Sequence, residues 1–236
     1  KYCAICSAPV VILLWVYPEG DIASRKKRMS KVLACMSVFF CNIAQKYKFL
    51  IKRTKKRHMN PYEIIDKYYP ENTEQRQILV IHSLSVSGKA MKMLDAHPEL
   101  HLNRSFVKEA ALLHDIGIFQ TDAPSIRCFG THPYIAHGYL GAEILRAEGF
   151  PQHALVCERH TGAGLSLQDI IDQQLPVPHR EMLPVTLEEQ LICFADKFFS
   201  KTHLDEEKTV EKARNSIAKY GEEGLNRFDR WCSLFL

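Results

Sequence analysis

The chain has 236 residues, 46% of them hydrophobic and 25% charged, with a formal charge of +4. That composition excludes a disordered protein and supplies one domain of ordinary core size plus an appendage. The positive balance is confined to residues 1–58, with 13 Lys and Arg against 2 Asp and Glu; residues 59–236 carry 18 against 25, so the charge does not mark the body as nucleic-acid-binding.

Residues 1–58 form a basic and apolar N-terminal extension. Residues 3–17 and 32–44 are apolar, Arg25-Lys-Lys-Arg28 lies between them, and residues 46–58 are strongly basic. Each apolar run falls short of the roughly 18 residues of a membrane span. The basic density follows the first apolar run instead of preceding it, which fits a signal peptide poorly. A membrane-surface anchor, a hairpin insertion and a translated stretch ahead of a start at Met59 all stay open, and the last is the reading we favour. Cys3 and Cys6 make no metal site without a second pair. The eight cysteines follow no regular framework, and Cys157 and Cys193 fall inside helical apolar patterns, as buried thiols in a reducing cytoplasm do.

From Asn60 onward the pattern is helical. Asn72 with Gln75 forms a capping pair that opens a helix carrying Ile78, Ile81, His82 and Ser85 on one face. A histidine so placed is ordinarily a satisfied core residue. The next helix is capped by Asn103, repeats Phe106, Ala110 and Leu113, and ends at His114-Asp115, with Gly117 as a left-handed stop. A cation there meets the negative end of the helix dipole as well as a carboxylate. Pro133 suits the first turn of a further helix that stops at Gly149 and aligns His137, Gly141 and Ile144 or Leu145. Pro151 begins the following helix, which reaches His160-Thr-Gly-Ala-Gly164. Residues 169–184 read as a long, partly irregular connection, long enough for a lid or specificity loop. Thr186 and Glu189 form a capping box, opening a helix whose Ile192, Ala195, Asp196 and Phe199 share a stripe. A carboxylate in that stripe needs a cation or hydrogen-bond donor. Residues 206–236 form one or two packing helices. No alternating strand pattern is present, so the fold class is all-α: a single helical bundle over residues 59–236.

The residues His82, His114, Asp115, His137, His160 and Asp196 thus come from separate helices, the adjacent pair excepted. Their order resembles the HD superfamily of metal-dependent phosphohydrolases, in its His-Asp-Ile-Gly subgroup: a His, then His-Asp, then a distant Asp. The binuclear members add two histidines between, where His137 and His160 stand. The likeness covers residues 62–203 and includes Glu158-Arg-His-Thr-Gly162 and Phe194-Ala-Asp-Lys197. It implies a stand-alone HD domain that binds two divalent ions through these six residues, with Asp115 bridging. The cyclic-dinucleotide phosphodiesterases of the superfamily place Lys where Ile118 stands and carry a Gly-Tyr-Pro signature absent here, so that activity is disfavoured. His160-Thr-Gly162 is similar to a segment of bacterial symmetrical diadenosine tetraphosphatases and points to a nucleotide substrate.

Four imidazoles and two carboxylates suit iron, manganese or cobalt better than Mg²⁺. The implied reaction is hydrolysis of a phosphate ester or anhydride by a metal-activated water. Asp115, Lys197 and His132 are the candidate catalytic residues, His132 as proton donor to the leaving group. Arg127, Arg159, Thr161 and Gly162 are the candidate substrate contacts. His58, His97, His101, His153, His179 and His203 read as exposed or capping. A metal and nucleotide sensor of the same fold, with residues 169–184 reporting occupancy, is the alternative. A membrane-tethered nuclease-like protein requires a native extension, as does any membrane contact.

Overall fold

The computed structural model describes residues 59–236; the readings of the N-terminal extension and of His58 fall outside them. The described residues are helical apart from one small sheet: α1 Pro61–Tyr68, α2 Glu74–Ala96, α3 Arg104–Leu113, α4 His137–Ala147, α5 Pro151–Arg159, α6 Leu167–Asp172, α7 Leu187–Asp196, α8 Val210–Ala218 and α9 Glu222–Phe235. Short polar side chains open most of them. Asn60, Thr73, Asn103, Ser166, Thr186 and Thr209 each accept a hydrogen bond from an amide of the first turn, satisfying donors that a helix leaves unpaired.

Two of the expected caps are displaced. Thr73, not Asn72, caps α2 by accepting from the Arg76 backbone amide; Asn72 adopts a left-handed conformation (φ 62°), and Gln75 Nε2 donates to Cys128 Sγ at 3.3 Å. Thr186 does accept from the Glu189 amide, but the Glu189 carboxylate closes no box on Thr186. It accepts instead from the Val185 amide and Arg159, each at 2.8 Å. On α2 the buried stripe is Leu79, His82, Ser83, Val86, Ala90 and Met93, and Ile81 is exposed.

Three strands of two or three residues depart from the expectation of no strand: β1 Thr121–Ala123, β2 Cys128–Phe129 and β3 His132–Pro133, in the order β2-β1-β3. β1 pairs antiparallel with β2 and parallel with β3, Thr121 opposite His132 and Asp122 opposite Pro133. Strands this short cannot display a two-residue period. The pairing holds Pro133 extended (ψ 148°), so a 3-10 turn, Tyr134–Ala136, intervenes before α4 begins at His137. The class remains all-α.

One part of the core is aromatic. Phe194 of α7 lies 5.1 Å from both Phe198 and Phe228 by ring centroid and within 6.2 Å of Trp231, so α9 is packed onto the back of the helix that carries Asp196. α2 and α3 close over the same core through Val86, Ala90, Val107 and Ala110. A second cluster joins α1, α3, α4 and α5 through Ile65, Leu113, Leu145 and Cys157. Residues 169–184 are tied to the rest of the fold at several points. The segment starts within α6, bridges back at Leu165 to Met182, and is pinned where Arg180 Nε donates to the buried Glu158 carboxylate at 2.7 Å.

Candidate metal centre

The turn after α3 shapes the centre. Beyond Leu113 the backbone tightens, Ile116 donating to Leu113 and Ile118 to Asp115, so His114 and Asp115 stay at the helix's carbonyl end. Gly117 is not left-handed (φ −86°). A Cβ there would stand 2.4 Å from both the His137 carbonyl oxygen and the Gly141 amide nitrogen, so its bareness lets the His-Asp turn rest directly on the first turn of α4. Gly138 serves the same close packing on the other side, where a Cβ would meet the Cys157 carbonyl oxygen at 2.7 Å.

Six side chains converge as a result. The ligand atoms of His82, His114, Asp115 and Asp196 lie within 4.8 Å of one another, and so do those of Asp115, His137 and His160. Asp115, fully buried, belongs to both groups. Its Oδ2 lies 3.1 Å from His82 Nε2 and 3.0 Å from His114 Nε2, while its Oδ1 lies 3.5 Å from His137 Nε2 and 3.3 Å from His160 Nε2. Asp196 Oδ1 completes the first group at 3.0 Å from His82 Nε2.

Three of the four histidines are oriented by one repeated device. Nδ1 of His114, His137 and His160 each donates to the carbonyl three residues earlier, Ala111, Tyr134 and Cys157, at 2.7 Å. A carbonyl only accepts, so the proton sits on Nδ1 and the Nε2 lone pair faces the cluster. His137 Nε2 and His160 Nε2 are 3.0 Å apart. Two neutral rings so fixed have no proton to share between them, and a cation reconciles the contact. Among the described residues, His114 Nε2 and Asp115 Oδ1 are buried without a hydrogen bond, while Asp115 Oδ2 has the Lys201 ammonium 2.7 Å away. Orphaned acceptors of this kind suit a divalent ion.

Charge is strongly organised here. Burial opposes ionisation of Asp115 and Asp196, yet His114 and Lys201 hold the first, and Lys197 and His114 the second, well below the usual carboxylate range. Burial also works against charge on His114, but the carboxylates of Asp115 and Asp196 carry it up to about 9, so without a cation Nε2 takes a proton in the place where a metal ion would bind. Burial and neighbouring His160 push His137 down to about 3, and burial lowers His160 as well.

Lys197 lines the cleft beside the cluster; its Nζ lies 2.7 Å from Asp196 Oδ2 and donates to the His160 carbonyl at 3.1 Å. Thr161 and Gly162 line the same cavity of about 970 Å³, Gly162 with a left-handed backbone (φ 60°). The structure places the other three candidates elsewhere. Arg127 ends a 3-10 turn and pairs with Glu74 at 2.6 Å; Arg159 is tied to Glu189 at 2.8 Å; His132 is held in β3, and none of them lines the cleft. His153 is buried against Glu109 at 3.2 Å, contrary to its reading as exposed or capping; His101 and His179 are exposed, and His97 caps α2. Sequence reasoning missed Lys201, whose Nζ lies 2.7 Å from Asp115 Oδ2, and Tyr134, whose ring stacks on His137 at 4.7 Å. The spacing of Lys197 and Lys201 by four was the available signal.

Residues 79–200 match the HD domain family, which spans the whole of this cluster and more than half of the chain. The chain belongs to the HD domain family. An uncharacterised protein of Methanocaldococcus jannaschii is 33% identical over 145 residues, covering 60% of this chain and 78% of its own. A protein of Picrophilus torridus named tRNA (cytidine(56)-2'-O)-methyltransferase is 31% identical over 176 residues, 66% of this chain and 47% of its own. A protein of the same name in Thermoplasma volcanium is 33% identical over 97 residues, 41% and 25% respectively. This HD domain chain therefore spans about half and a quarter of those two proteins. No solved structure matches it significantly. Among the described residues no helix is long and apolar enough to cross a membrane.

Proposed function

We propose that this HD domain hydrolyses phosphate esters or anhydrides, with His82, His114, Asp115, His137, His160 and Asp196 holding two divalent ions of the iron, manganese or cobalt class. The observation that carries the reading is Asp115: one buried carboxylate turns each oxygen toward a different set of imidazoles whose Nε2 atoms all face it. Ions bound there supply Lewis-acid charge against phosphoryl oxygens and make water nucleophilic at neutral pH. The chain's own residues do the rest. Backbone carbonyls fix the rings and so the positions of the acceptors. Lys201, buried beside Asp115, and Lys197, beside Asp196, place fixed positive charge where phosphate oxygens enter. Thr161 and Gly162 border the entry and can contact the substrate.

A nucleotide is the substrate we favour. The name carried by the Picrophilus and Thermoplasma relatives describes proteins of which this chain spans a part, so phosphates on RNA belong in the assay beside free nucleotides. The deciding experiment is elemental analysis of the full chain, with turnover measured on nucleotides, dinucleoside polyphosphates and RNA terminal phosphates. Near two ions per chain with phosphate release is the expected result. Failure to retain any ion after reconstitution with manganese, iron or cobalt would remove the basis of the proposal.

A further inference from the structure

The segment from Phe198 to Lys208 leaves the end of α7 and returns to it. The Lys208 amide donates to the Phe198 carbonyl at 2.7 Å, closing the loop. The neighbouring Glu207 is anchored on α2, where Lys89 Nζ reaches its carboxylate at 2.6 Å and lies 4.0 Å over the Phe198 ring. Glu207 is thereby turned away from the residue beside it, and Lys208 faces the cavity that contains Asp196, Lys197 and Lys201.

Three ammonium groups thus border one cleft, and they differ in their partners. Lys197 is matched by Asp196 and Lys201 by Asp115. Among the described residues Lys208 Nζ has no hydrogen bond or ion pair. It is half-buried, and burial together with Lys197 and Lys201 lowers its pKa against the opposing pull of Asp196. A partly desolvated cation among like charges is unfavourable unless an anion joins it. The loop closure fixes the Lys208 backbone, so the anion it serves lies in the cleft that Asp196, Lys197 and Lys201 also line. Lys208 also lies beyond the residues that match the family.

Resting on the hydrolase reading above, we infer that Lys208 binds a second phosphate of the substrate, one linked to the phosphoryl group at the metal cluster, so that the preferred substrate is a diphosphate and not a lone phosphomonoester. Lys208 is then a specificity residue: it contacts the phosphate that is retained, while Lys197 and Lys201 face the one that is attacked. A point charge on a flexible stem suits such a contact, and arginine can replace it in charge though not in shape.

The test is calorimetric titration of the manganese-reconstituted full chain with methylenediphosphonate, a diphosphate that cannot be hydrolysed, and with inorganic orthophosphate. The unaltered protein is expected to bind the diphosphonate at least tenfold more tightly than orthophosphate. Lys208→Met should cut diphosphonate affinity about tenfold, leave orthophosphate within twofold, and melt no lower than the parent, because the lost cation had no partner. Lys208→Arg should keep most of the preference. Equal weakening of both ligands by Lys208→Met, no weakening of either, or no preference in the parent would overturn the inference. Tight, Lys208-dependent diphosphonate binding without turnover would instead remove hydrolysis and leave the subsite. Hydrolysis of phosphomonoesters without any diphosphonate preference would remove the subsite and leave the hydrolase.

Discussion

Gly117→Ala tests the claim that the centre depends on bare backbone contact between the His-Asp turn and α4. The added carbon would stand 2.4 Å from the His137 carbonyl oxygen and 2.4 Å from the Gly141 amide nitrogen, about 1 Å inside the 3.4 Å at which ordinary contact begins. Both atoms are helical backbone and cannot rotate aside, so α4 must move as a body. Overpacking of this kind costs about 3 kcal/mol, toward the upper end for one methyl group. In a protein of this size that lowers the melting temperature by roughly 6–12 °C. The same displacement carries His137 away from Asp115, now 3.5 Å distant, so metal content should fall with stability. Calorimetric melting and elemental analysis measure the two effects. Gly88 is the control: it lies inside α2, a Cβ there meets nothing within 4 Å, and alanine should add about 0.5–1 kcal/mol by relieving backbone entropy. A Gly117→Ala protein that melts within a degree or two of the parent, with its metal intact, would refute the reasoning.

Asp115→Asn should leave the chain folded while the proposed metal positions empty. Activity should fall by more than the roughly 10–100-fold that a lost outer partner of a ligand costs; full metal content in that variant would contradict the shared-carboxylate geometry. Phe194→Ala opens a cavity among Phe198, Phe228, Trp231 and Phe235 and should cost about 3–5 kcal/mol in urea unfolding. A loss under 1 kcal/mol would mean that α9 does not brace α7. The Cys193 thiol is pushed up to about 12 by burial, with Lys197 opposing. It should resist alkylation at pH 9 in the folded protein. Because its folded pKa is raised, the stability it contributes is complete below about 9 and is lost as pH rises from there to about 12, so Cys193→Ala should flatten alkaline unfolding by about one proton. An unchanged slope would show that the thiol does not govern it.

Local chemistry made much of this molecule legible in the sequence. Asn103 and Thr186 cap the helices they were expected to cap, since a short side chain and an amide three residues on meet without help from the rest of the fold. The all-α class followed from helical periodicity, and the order of His82, His114-Asp115, His137, His160 and Asp196 singled those residues out before their distances were known. Contacts across the fold were not legible. Gly117 read as a helix stop because its position was local evidence; its close approach to α4 depends on a chain segment 20 residues away. Arg127, Arg159 and His132 had suitable chemistry for phosphate or proton transfer, but ion pairing with Glu74 and Glu189 and the pairing of β3 with β1 direct them elsewhere. Lys201 and Lys208 look in sequence like solvated charges after a helix. They face the cleft because a loop closed by one backbone hydrogen bond returns them beside Asp115 and Asp196, and because Lys89, from a helix more than a hundred residues earlier, holds Glu207 away. Residue type and spacing determined what could bind a metal; packing of α3, α4 and α7 decided which charges meet it.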